Sequence, residues 1–182
     1  SDLPYYEGIR KKEITTFCRV EKQKNLKMLI DAFEMLLKDH KEYVLSIYGD
    51  GSEKKDLIEY VGAKGLEKKV IFYPFDMDIH DKIVDCEMYV STSDFEGLSN
   101  SMLEAMGMGM PVVCTDCKGG GARMIIKNGI NGILVPVKDT VAFYQGMKYL
   151  LDNKDKAREI GKNAMSVKDD LSVDNICRRW MD

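Results

Sequence analysis

Apolar positions along the chain alternate between two periods. Short apolar runs bounded by glycine, proline or charge are followed by longer stretches whose apolar residues recur every third or fourth position. Glu13–Arg19, Tyr43–Tyr48, Val70–Tyr73, Met88–Ser91, Pro111–Cys114 and Gly132–Val135 read as strands. Pro111 stands at the first position of its strand, where a missing N–H is tolerated. Leu26, Leu29, Ile30, Phe33, Leu36 and Leu37 predict a helix from Asn25 to Asp39, capped by Asn25. A second helix is predicted from Glu53 to Lys64, with Ser52 as N-cap and Gly65 as a left-handed stop. Shorter helices are predicted over Ile79–Val84, Ser99–Met108 and Ala122–Lys127. Two more start at Asp139 and Lys154, and a last amphipathic segment carries Val173, Ile176 and Trp180. Strand and helix alternating in this way is the pattern of a three-layer α/β sandwich around a mainly parallel sheet.

The chain has 182 residues, about one domain's worth, and no internal repeat or low-complexity tract. Ser1–Lys12, with Pro4, Gly8 and three basic residues, reads as an interdomain linker, Ser1 itself as a cloning remnant, and 13–182 as the domain. Without a starting Met, the chain reads as part of a longer protein. The net charge of −3 argues against nucleic acid as a partner, because such domains usually carry a basic face. No apolar run approaches the ~18 residues of a membrane span, and no basic-then-apolar leader opens the chain. Five cysteines, an odd number, predict free thiols in a reducing, cytoplasmic compartment.

In open parallel sheets, ligands bind beyond the carboxyl ends of the strands, so the residues following each strand are the candidates. Arg19 and Lys24 follow the first strand. Across the expected cleft, Gly97, Leu98, Ser99 and Asn100 open a helix whose free amides and positive dipole end attract anions. Gly97 lacks a side chain that would hold a ligand off the backbone. Guanidinium, ammonium and helix N-terminus around one cleft suit a diphosphate. Glu96 precedes the helix and Glu104 lies within it. Helical side chains lean toward the N-terminus, so Glu104 reaches back along the cleft. A carboxylate there can accept both hydrogen bonds of a vicinal diol such as a ribose, and Glu96 the hydroxyls of a sugar.

Blander roles compete at several positions. Lys22 reads as a solvated loop residue. Cys114 and Cys117 have the spacing of half a zinc site, but no second pair accompanies them, which favours structural thiols. Asp76, Asp78 and Asp81 read as loop and cap residues rather than a metal site. His40 and His80 receive no catalytic role. The 12 methionines read as core filler and as part of a face toward another domain. Gly49 and Gly51 with Lys54 lack the third glycine of a dinucleotide fingerprint, so a nicotinamide-dependent oxidoreductase is a weak alternative. A nucleotide-sugar-binding module without catalysis is another.

The segment from Glu96 to Glu104 resembles the E-x7-E motif of family 4 retaining glycosyltransferases (glycosyl transferases group 1). Arg19 with Lys24 resembles their R-x4-K pair, and the run from Ile47 to Gly51 their turn after the second strand. Pro111–Asp116 and Asn131–Pro136 also fit, and the likeness runs in order from Lys12 to Trp180. It implies one Rossmann-like half of a GT-B fold, the C-terminal nucleotide-sugar-binding half, with the N-terminal acceptor domain absent. It implies an NDP-sugar donor (a UDP- or GDP-sugar), a glycan or lipid-linked acceptor, and a place in bacterial surface polysaccharide synthesis. Arg19 and Lys24 would hold the diphosphate, Glu96 the transferred sugar, and Glu104 the ribose. Gly97, Leu98, Ser99 and Asn100 would meet the distal phosphate and sugar. Gly51 and the stretch Phe75, Asp76 and Met77 would border the nucleotide, the base resting near that stretch. No metal or other cofactor is required, and any peripheral contact with the inner membrane face would come through the absent half. Two departures stand out. Cys18 replaces the Gly or Ala that often precedes the arginine, and Gly119–Met124 replaces a Gly-Gly-x-Pro-Glu loop.

Overall fold

A computed structural model describes residues 4–170. Its six strands are β1 (Lys11–Phe17), β2 (Val44–Tyr48), β3 (Val70–Tyr73), β4 (Cys86–Ser91), β5 (Val112–Asp116) and β6 (Ile133–Pro136). They form one parallel sheet in the order β3-β2-β1-β4-β5-β6. The chain runs outward from β1 in one direction, then returns to its other side at β4. That reversal opens a crevice at the carboxyl ends of β1 and β4.

Helices cover both faces of the sheet. On one side lie α1 (Leu26–Leu36), α2 (Lys54–Ala63) and α6 (Thr140–Asp152). Their apolar stripes close on Ile14, Leu45, Ile47, Met88, Val90 and Val113, alternate positions of the strands. On the other side lie α3 (Ile79–Ile83), α4 (Asn100–Gly107) and α5 (Gly121–Ile125). There Tyr48, Tyr89, Val112 and Cys114 meet Met102, Ala105 and Met106. α7 (Lys154–Ala164) serves both cores, through Ile160 on the first and Ala164 on the second, and leads into a short turn, α8 (Val167–Asp170).

Local chemistry accounts for several boundaries. Asn25 takes a left-handed conformation and its side chain accepts from the Met28 amide, starting α1. Asp139 accepts from the Ala142 amide at 2.8 Å and starts α6. Gly65 stops α2 with a φ of 66°. Ser52 does not cap α2. Its hydroxyl donates to Glu21 at 2.7 Å instead, because the loop after β1 folds over it.

The domain also begins earlier than the linker expectation placed it. β1 starts at Lys11, and the Arg10 guanidinium donates to the carbonyls of Val84, Cys86 and Gly109 at 3.1, 2.8 and 3.0 Å. Residues 10–12 therefore belong to the folded unit. The amphipathic segment with Val173, Ile176 and Trp180 lies outside the described residues, as does Cys177. The other four cysteines are free thiols. Among the described residues, no helix is long and apolar enough to cross a membrane.

Candidate functional site

A cleft of about 640 Å³ lies at the chain reversal. Arg19, Lys24, Phe75, Asp76, Glu96, Leu98, Ser99, Asn100 and Glu104 all line it. Residues from the loops after β1, β3 and β4 and from α4 thus converge on one crevice. Gly97, Gly51 and Met77 lie outside the lining. Met77 is exposed to solvent. Gly51 serves the backbone: a Cβ there would sit 2.3 Å from the Val20 carbonyl oxygen. Gly49 is similar, with φ of 137° and the Cys18 carbonyl 1.9 Å from a Cβ. These two glycines let the turn after β2 lie directly against the loop carrying Arg19.

The floor is an ion pair. Lys24 Nζ donates to Glu96 Oε1 at 2.5 Å, and Ser93 Oγ donates to Glu96 Oε2 at 2.8 Å. Lys24 is buried, and its backbone is tied to the β4 exit, where Thr92 Oγ1 donates to its carbonyl at 2.8 Å. Asn25 Nδ2 adds a bond to Asp94 at 2.9 Å. Removing either partner of such a pair strands a desolvated charge, so Lys24 of one motif and Glu96 of the other hold each other in place. An ammonium has three donors, so Lys24 keeps capacity beyond Glu96.

The Arg19 side chain makes no hydrogen bond or ion pair among the described residues and lines the same wall. Opposite it, α4 begins with Ser99, whose side chain accepts from the Met102 amide. Asn100 and Ser101 border the cleft at this end, where the helix leaves amides unpaired by its own turns. A group with negative charge between Arg19, Lys24 and this helix end meets donors on three sides. Cys18, beside Lys24, is a neutral thiol: burial pushes it up to about 11, partly offset by the Lys24 charge.

Two supports escaped sequence reasoning. The first is the glycine-rich loop after β5. A Cβ at Gly119 would lie 2.2 Å from the Glu96 carbonyl oxygen, and one at Gly121 2.0 Å from that of Gly97. The Glu96 amide donates to the Lys118 carbonyl at 3.1 Å, and Arg123 makes a two-bond pair with Asp116 at 2.6 and 2.7 Å. The loop is a cradle for the segment holding Glu96, and the cluster of three glycines was its only signal. The second is His80, whose Nε2 lies 2.9 Å from Glu104 Oε2. Nothing in the local sequence pairs positions so far apart.

Lys54 is a staple rather than a ligand-facing group. It donates to the carbonyls of Gly49 and Tyr73 at 2.9 and 3.1 Å and to Asp50 at 2.7 Å. Asp50 also accepts from the Phe75 amide, and Lys54 with that amide holds its carboxyl below the usual range. The exposed Phe75 ring is thereby presented at the cleft edge. Among the described residues, no group of three or more His, Cys, Asp or Glu could hold a metal ion.

Residues 7–167 match the family model of glycosyl transferases group 1. The chain is 36% identical over 156 residues to N-acetylgalactosamine-N,N'-diacetylbacillosaminyl-diphospho-undecaprenol 4-alpha-N-acetylgalactosaminyltransferase of Campylobacter jejuni, covering 86% of this chain and 41% of that one. It superposes on a mutant of Staphylococcus aureus TarM, solved with Fondaparinux, alpha-GlcNAc-glycerol and UDP, with a TM-score of 0.90 at 27% identity. That match covers 98% of this chain and 36% of TarM. It superposes on Anabaena Alr3699/HepE in complex with UDP with a TM-score of 0.84 at 25% identity, covering 94% of this chain and 48% of that one. The chain thus spans less than half the length of each of these relatives. It belongs to the glycosyl transferases group 1 family, and its sheet is one Rossmann-like unit of the GT-B fold.

Proposed function

We propose that the chain is the C-terminal, donor-binding half of a retaining glycosyltransferase that takes its sugar from a nucleoside-diphosphate sugar. The observation that carries this reading is the convergence of Arg19, Lys24, Glu96, Glu104 and the start of α4 on one cleft. In this reading Arg19, Lys24 and the α4 amides surround the diphosphate and neutralise it as it leaves. Charge-assisted bonds of this kind contribute about 1.5–3 kcal/mol each. Neutralisation by these groups makes a metal unnecessary. Glu104 accepts from the ribose hydroxyls, and Phe75 and Asp76 border the base. Glu96 stays ionised beside Lys24 and accepts from hydroxyls of the transferred sugar.

During transfer the bond between the sugar's anomeric carbon and the diphosphate oxygen breaks. The acceptor oxygen bonds to the same face of that carbon, and its proton passes to the departing diphosphate. Preorganised cations stabilise that departing charge more than the ground state. The acceptor belongs to the absent half, and its class is a glycan or a lipid-linked glycan of bacterial surface polysaccharide synthesis. The names of the bacterial relatives support this class. The 182-residue chain by itself should bind donor but transfer poorly.

Calorimetric titration of UDP, GDP and NAD tests the reading. A nucleoside diphosphate should bind best, and Arg19→Ala should weaken it ~10-fold or more while leaving the thermal melt cooperative. Tighter binding of NAD than of either diphosphate would overturn it.

A further inference from the structure

We infer that His80 is a positioning residue that sets Glu104 for the ribose, so that the cleft tells ribonucleotides from deoxyribonucleotides. The inference rests on the donor-site reading above and adds a residue to it.

Glu104 stands in the second turn of α4, and its side chain is about 40% exposed. A glutamate in that setting samples many rotamers, and a diol would have to order it on binding. The structure orders it beforehand. His80 Nε2 lies 2.9 Å from Glu104 Oε2. A carboxylate only accepts, so Nε2 carries the proton, whether the ring is neutral or charged. His80 does not line the cleft, whereas Glu104 and the neighbouring Ile79 do. The imidazole therefore meets the carboxylate from outside the ligand space. A carboxylate offers about four lone-pair positions, so one imidazole N–H leaves room for two ribose hydroxyls.

His80 also has a defined place of its own. Ile79 and Ile83 bury α3 against the second core, which fixes the helix that carries it. The segment before α3 is tied down at Asp76, which accepts from the Asp78 amide at 2.9 Å and pairs with Lys82. Phe75 and Asp76 are the residues placed at the nucleobase. One short helix thus joins the base edge of the cleft to the acid that faces the ribose.

The test measures the affinity of this chain for a ribonucleoside diphosphate and for its 2′-deoxy counterpart, using UDP with dUDP and GDP with dGDP. The wild type should prefer the ribo form by ~5-fold or more, the value of about one hydrogen bond. His80→Leu should bring that ratio close to one, by weakening the ribo form and leaving the deoxy form within about twofold. His80→Gln, whose amide can donate to Glu104, should restore most of the preference. His80→Asn is too short to reach and should behave as His80→Leu, which keeps the test decisive if the apolar variant fails to fold. A merely structural histidine would weaken both nucleotides alike, and that outcome, or an unchanged ratio, overturns the inference while the donor site stands. Equal wild-type affinity for both forms overturns it as well. Failure of the wild type to bind any nucleoside diphosphate would overturn the donor-site reading and this inference together.

Discussion

The two ends of the sheet both hold charges withdrawn from water, and they satisfy them differently. At the amino ends of the strands, Arg10 spends its guanidinium on three carbonyls. Nearby, Glu87 is buried, and both its oxygens are taken: Tyr43 donates at 3.0 Å and Lys154 at 2.8 Å. At the carboxyl ends, Lys24 and Glu96 hold each other, but Lys24 keeps donors to spare, and Arg19 lines the cleft wall with no side-chain hydrogen bond or ion pair among the described residues. The cleft there is also the larger, about 640 Å³ against about 490 Å³ at the opposite end. A polar group whose hydrogen-bonding capacity is filled by protein contributes to stability, whereas one left with capacity is available to a ligand. The amino end is the more filled network and the carboxyl end, with Arg19 on the cleft wall, the more open one.

The sharpest way to break this comparison is Arg10→Ala. It removes three bonds from a charged donor and should cost about 3 kcal/mol, read as a lower urea midpoint at constant slope. Nucleoside-diphosphate affinity of the folded fraction should not change. A parallel loss of affinity would mean that the two ends are not separable. Gly119→Ala probes the support of the open end. Its φ of 104° and the nearness of the Glu96 carbonyl make any side chain strained. About 2 kcal/mol of stability should be lost, and binding of a nucleotide sugar should fall more than that of the bare diphosphate, because Glu96 moves. If both ligands weaken equally, the glycine loop does not act through Glu96. The smallest effect concerns Cys18. Burial holds its thiol near 11, so at pH 8 about one thiol in a thousand is ionised. Because the thiolate is the reactive form, alkylation of the native chain should climb about tenfold for each pH unit up to that value. Mass spectrometry of iodoacetamide-treated protein would show it; rapid labelling of Cys18 at pH 8 would reveal a more open cleft.

Much of the architecture could be read from periodicity alone. β3 has the predicted bounds, Val70–Tyr73, because Pro74 ends it and a glycine-closed helix precedes it. Asn25, Gly65 and Asp139 cap or stop helices as their chemistry implies. Errors came where a distant group changed the local choice. Ser52 gave up its capping role to Glu21, and Arg10 drew the start of the domain toward the N-terminus through carbonyls some 74–99 residues away. In the cleft, Arg19, Lys24 and Glu96 could be named because each follows a strand, and Glu104 because its side chain leans toward the start of the helix that opens there. Gly51 and Met77 could not be sorted from them, since a strand-end position fixes which rim a residue occupies but not which way it faces.

The chain order of strands, helices, caps and cationic or acidic loop residues was enough to determine the parallel α/β layers and the rim on which a site must lie. Those features are local, set by backbone periodicity and by hydrogen bonds a few residues long. Only the tertiary structure decided that Lys24 pairs with Glu96, that Gly119 and Gly121 abut the backbone around Glu96, and that His80 meets Glu104. Each of these contacts joins segments on different elements, and its strength depends on distances of a few tenths of an ångström. No spacing along the chain encodes such distances; the packing of the two cores against the twisted sheet sets them.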